Sequence, residues 1–299
     1  MKKLFFLFIL AVPFKTFAAS CCGGGFSVPA LILGDDKAQL TSTYSYANVS
    51  DDVLSDGRWL KRDDKNLTQT LKLEGALLLS ESLQGGFGLP VLSKTAESTP
   101  ASQGIGDIAL YLGHETFPET SYSRWKPKGV TFIQINLPTS PSIYDFSAGN
   151  SNESRGKGFY SVGAGVALTK SWVTWDANFS AEIHRSFARA VNNEALGGTI
   201  ELLPGWGSSQ TVGLGWNYKD LRLGGSVVYF YEDAIESRGG TSSDGAMQRN
   251  FTASLSASYM LGQESALTAS YSDQALLGDP TNSSLSKTIN VSYQKRWPR

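Results

Sequence analysis

Downstream of residue 37, apolar and polar positions alternate with a period of two along most of the chain, the mark of strands with one apolar face. The clearest case is 249–261. Phe251, Ala253, Leu255, Ala257, Tyr259 and Leu261 share one face, and Asn250, Thr252, Ser254, Ser256 and Ser258 share the other. The stretch 171–186 repeats the pattern, with Val173, Trp175, Ala177, Phe179, Ala181 and Ile183 against Thr174, Asp176, Asn178, Ser180, Glu182 and His184. The pattern predicts twelve strands, at 37–48, 66–80, 84–93, 104–116, 128–138, 157–170, 171–186, 208–218, 221–232, 249–261, 264–274 and 285–297. Thr199–Leu203 also reads as a strand. It is assigned as an extension of the 208–218 strand, broken at Pro204-Gly205, although a fourteen-strand solution would also accommodate it.

Connections alternate long and short. The long ones, 49–65, 94–103, 139–156, 187–207, 233–248 and 275–284, are rich in Gly, Ser, Asn, Asp and Pro. Most short ones are a few residues, with 117–127 the exception. Long strands, an even count and this alternation predict an all-β transmembrane antiparallel β-barrel over 37–299, with both termini periplasmic. A soluble β-sandwich also alternates. It would use shorter strands and a more charged outer face than these segments show.

The N-terminus supports export. Lys2 and Lys3 precede the short apolar stretch Leu4–Val12, and Ala18-Ala19-Ser20 precedes a cleavage point, so residues 1–20 read as a signal peptide. Cys21 and Cys22 follow. Ala18-Ala19-Ser20-Cys21 is a loose match to a lipidation signal, which makes Cys21 a candidate modified residue beside the plainer reading of ordinary cleavage. Residues 21–36 form a Gly-rich then apolar segment, Gly23-Gly24-Gly25 and Phe26–Leu33. Left exposed, that apolar run is a liability. The expectation is a plug in the periplasmic mouth or a tether.

Composition narrows the function classes. In 299 residues, Lys+Arg number 26 and Asp+Glu 27, so the net charge of -1 gives no electrostatic case for nucleic acid. Charged residues are 18% and no apolar run approaches the ~18 residues of a membrane helix. Apolar residues spread one in two along lipid-facing strands account for both facts.

Candidate chemistry is sparse. His184 and Ser186 have the spacing of a barrel esterase, but Phe187-Ala188 follows the Ser and no partner Asn stands out. No G-x-S-x-G, P-loop, H-E-x-x-H or Cys-rich spacing occurs, so no enzyme, cofactor or metal is expected. Lumen-lining candidates on the inward phase are Lys72, Glu74, Asp107, Tyr111, Asp176, Glu182, His184 and Arg222, with Glu115, Gln134, Asn136 and Arg249 beside them. Both signs occur, which argues against strong ion selectivity. The implied partners are outer-membrane lipid, a small solute, and the barrel-assembly machinery reading a terminal strand that ends at Trp297.

A set of strand-end motifs carries a family resemblance. Leu89-Pro90, then Gly104-Ile105-Gly106-Asp107 before Ile108–Leu112, then Asn136-Leu137-Pro138-Thr139 and Gly156-Lys157-Gly158, resemble the outer-membrane barrel family named for the phenol meta-pathway, distantly similar to hydrocarbon and fatty-acid transporters. The resemblance covers roughly 67–175. It implies a porin-like or transporter-like barrel and, by extension, hydrophobic or amphipathic substrates. The combined expectation is a bacterial outer-membrane channel for passive passage of small molecules. The alternatives are a structural or surface-interaction barrel and, less favoured, a barrel phospholipase.

Overall fold

The computed structural model describes residues 29–97, 99–145, 151–193, 198–239 and 245–299. The expected signal segment 1–20 and the lipidation candidate Cys21 lie outside the described residues. The strands are β1 (Asp36–Val53), β2 (Trp59–Lys61), β3 (Asn66–Leu78), β4 (Leu83–Ala96), β5 (Thr99–Ile105), β6 (Ile108–Phe117), β7 (Lys128–Leu137), β8 (Ser161–Ser171), β9 (Trp175–Ser186), β10 (Arg189–Asn193), β11 (Gly198–Leu203), β12 (Trp206–Tyr218), β13 (Leu221–Glu232), β14 (Glu236–Arg238), β15 (Gln248–Met260), β16 (Ser265–Asp273) and β17 (Ser283–Pro298).

Fourteen strands form one antiparallel sheet; β2 and β5 stand outside the ring and twelve close it. The ring order is β1, β3, β4, β6, β7, β8, β9, β12, β13, β15, β16, β17, and β17 pairs back on β1 with Tyr44 opposite Val291. Closure leaves the ring no unpaired edge, as a bilayer requires of any strand that crosses it. The outer face carries the apolar phase: Leu71, Phe87, Leu110, Ile133, Ile183, Leu214, Leu255 and Ile289 are all exposed. A closed ring with an apolar belt is the architecture of the bacterial outer membrane. The end bearing Asp36, Pro298 and the short turns is therefore periplasmic, and the long loops are extracellular.

Three expected elements differ. The strand expected over 104–116 is two, β5 and β6, broken at Gly106-Asp107. The break faces Pro90, which has no N–H to continue the ladder; its carbonyl instead accepts from Gly106 N at 2.8 Å. The strand expected from 157 starts only at Ser161, because the chain before it is engaged elsewhere. Thr199–Leu203 is no extension of the barrel strand. It belongs to β11, which pairs with β10 and β14 in a separate three-stranded extracellular sheet. Val191, Ile200 and Leu202 of that sheet bury against Phe159, with Tyr144 and Ile235 alongside.

Candidate functional site

The lumen has two unlike halves. Along β15, β16, β17 and β1 its inward positions are Ser254, Ser256, Ser258, Thr268, Ser270, Ser272, Thr288, Asn290, Ser292, Gln294, Thr41 and Thr43, all half-buried. Short hydroxyl and amide side chains follow from the polar phase of these strands. They pair along the wall rather than across it: Ser254 with Ser272 at 3.0 Å, Thr268 with Ser258 at 2.8 Å, Asn290 with Ser270 at 3.2 Å. That leaves an uncharged strip running between the two mouths.

The half formed by β3, β4, β6, β7 and β8 is filled at its periplasmic end. Ala76, Tyr111, Val130, Phe132 and Ala167 are inward and buried, and Leu31 and Ile32 from the chain ahead of the barrel pack onto them. Ile32 is held as backbone as well. Gln84 Oε1 accepts from Ile32 N at 2.7 Å, and Gln84 Nε2 donates to Ile32 O at 3.1 Å. Gln39 Nε2 donates to the Ala30 carbonyl at 2.8 Å, and the Tyr111 hydroxyl lies 2.8 Å from the same oxygen. At the mouth Lys128 Nζ stands 3.3 Å from Glu115 and 3.6 Å from Asp35. Val130 and Phe132 are the residues that sequence reasoning missed. Their signal was visible: two apolar side chains on the phase that carries Gln134 and Asn136 in the same strand.

The lumen-facing candidates fall into separate groups. Lys72 pairs with Glu74 at 2.8 Å within β3. At the periplasmic end Arg222 Nε and Nη2 donate to both oxygens of Asp176, at 2.8 and 2.6 Å, and Asn217 donates to the same carboxylate. Tyr111 belongs to the filled half. Asp107 is engaged by the β7–β8 connection, accepting from Ser140 Oγ at 2.7 Å and Lys157 N at 2.8 Å. Arg249 shares its phase with outward Phe251 rather than the lumen and pairs with Asp279 at 3.0 Å.

Glu182 and His184 form the buried centre of the extracellular half. His184 Nδ1 is 2.7 Å from Glu182 and Nε2 is 2.9 Å from Glu232; Lys157 Nζ pairs with the same Glu232 oxygen. His184 and Glu232 lie two strands apart, on either side of Gly207, which is the register partner of both. A Cβ at Gly207 would collide with the imidazole and with Glu232, so glycine there is what allows the bridge. Ser186 Oγ pairs with Ser161 Oγ at 2.7 Å. With both ring nitrogens directed at carboxylates, His184 is not placed as a base for Ser186, which removes the geometric case for an esterase.

No family model matches the chain and no curated protein matches it. Among solved structures it is similar to the COG4313 outer membrane channel from Pseudomonas putida F1, with a TM-score of 0.69 at 12% identity, over 89% of this chain and 97% of that one. Looser likenesses include the NanC porin, with a TM-score of 0.46 at 5% identity over 86% and 98%. Another is the TodX monoaromatic hydrocarbon channel deltaS2S3 mutant, with a TM-score of 0.44 at 12% identity over 89% and 91%. The first shows the fold, a closed twelve-stranded β-barrel of the outer-membrane type.

Proposed function

We propose that this chain is a passive outer-membrane channel for small molecules, closed at its periplasmic end by residues 29–33. One observation carries the reading: the lumen keeps a half-buried hydroxyl strip on one side while Leu31 and Ile32 cover an apolar strip on the other. Burying those two side chains contributes roughly 1.5–3 kcal/mol each. That favours the closed form yet is small enough to reverse. With the segment withdrawn, the path would have one wall of hydroxyls and one of Tyr111, Val130 and Phe132. Such a lining fits small amphipathic solutes better than ions or sugars.

The motif resemblance and the likeness to the Pseudomonas putida channel together support placing the chain with the phenol meta-pathway type of outer-membrane channel. β17, which carries Trp297 beside its last residue Pro298 and closes on β1, is the strand we expect the assembly machinery to read. Deleting residues 23–34 and recording single-channel conductance in planar bilayers tests the reading. Higher conductance in the deletion, with permeation of a small aromatic alcohol ahead of a sugar of equal volume, is the expected result. Unchanged conductance would remove the plug, and no conductance in any form would remove the channel.

A further inference from the structure

We infer that Lys157 forms a bar across the extracellular half of the lumen and sets the size limit there. The inference rests on the channel reading and adds a second constriction in series with the periplasmic one.

The argument is topological. In ring order β4 is third, β6 fourth and β13 ninth, so β4 and β13 face each other across the barrel. Within four residues the β7–β8 connection touches both sides. Lys94, on β4, donates from Nζ to the Ser154 carbonyl at 2.6 Å. Asp107, just before β6, accepts from the Lys157 backbone N–H at 2.8 Å. The Lys157 side chain then runs the other way, pairs through Nζ with Glu232 of β13, and lies 5.2 Å from the centre of the Phe230 ring of the same strand. Asp107, just before β6, and Glu232 of β13 sit five places apart in the ring, so the single residue Lys157 joins strands that are not neighbours.

The crossing is built at both ends. On the near side Arg155 Nη1 donates to Ser102 Oγ at 2.7 Å and Asn152 Nδ2 to the Pro100 carbonyl at 3.2 Å. A Cβ at Gly156 would collide with Asp107 and Ser140, so the chain approaches the wall closely there. On the far side Glu232 is itself seated by His184 and, through it, Glu182. A charge pair shielded from bulk water is screened less by salt than one on the surface. Lys157 Nζ is thus the removable link, and the strip left open beside it is the hydroxyl wall of β15–β1.

The test uses the full chain and the 23–34 deletion, each with Lys157→Met, which keeps the aliphatic stem and removes the charge. Heat-modifiable gel migration first confirms that each barrel has assembled. Conductance and liposome swelling with sugars of graded size are then read. Deletion plus Lys157→Met is expected to exceed the deletion alone severalfold and to admit larger sugars, with Lys157→Arg restoring the deletion's own cut-off. If the combined variant matches the deletion alone, the bar is overturned while the periplasmic plug stands. If Lys157→Met opens the channel by itself and the deletion adds nothing, the bar stands and the plug falls. Should Lys157→Met fail to assemble, Glu232→Gln in the deletion background weakens the same link from the other side, and an unchanged cut-off there also overturns the bar.

Discussion

The Tyr111 hydroxyl stands 2.8 Å from the Ala30 carbonyl oxygen, linking the lumen wall to the segment that precedes the barrel. The same hydroxyl is 2.8 Å from the Gly75 carbonyl, so the ring lies flat across its neighbouring strand rather than into the pore. Tyr111→Phe keeps the ring and removes the link. A hydrogen bond of this kind is worth about 1 kcal/mol net, so the segment should release roughly fivefold more often. Channel-opening frequency in planar bilayers reads this, with heat-modifiable migration unchanged.

Gln84→Leu should have the larger effect. Gln84 serves both the N–H and the carbonyl of Ile32, and the substitution would leave two buried backbone groups unpaired in the docked segment. Each costs about 1–3 kcal/mol. Docking should be lost in most molecules, seen as protease access to the N-terminal segment and a steady rise in conductance. A Gln84→Leu protein indistinguishable from wild type would show that the side-chain amide does not hold the segment.

His184→Ala is a stability prediction. It leaves Glu182 and Glu232 facing one another without the ring between them. Breaking a buried pair in this way costs about 3–5 kcal/mol. The apparent melting temperature in detergent should fall, and Gly207→Ala should lower it too by wedging the pair apart.

Arg222→Gln concerns the periplasmic mouth. Asp176 would lose its bidentate partner and keep its charge beside the solute path. The reversal potential under a salt gradient should move toward cation preference. Asp176→Asn should move it the opposite way, since it frees Arg222.

The barrel was legible because period two needs no long-range information. Side chains at Phe251, Ala253 and Leu255 point the same way whatever the strand pairs with. The site was only partly legible. His184 and Glu182 could be placed on the inward phase, but Glu232 is 48 residues from His184 and meets it only through β12. The strand at 104–116 was misread because Pro90, in another strand, interrupts the ladder that would have kept it whole. Lys157 was hidden within a segment whose alternation continued past the point where pairing stops.

Sequence alone determined the two faces of the clearest strands, one toward lipid and one toward the lumen. These follow from local geometry and from the cost of placing polar groups in hydrocarbon. Closure decided the rest. Joining β17 to β1 sets β4 opposite β13, and that circle lets Lys157 reach across it and seats Leu31 and Ile32 against Tyr111 and Phe132. Contacts across a ring depend on how many strands close it, which no single strand records.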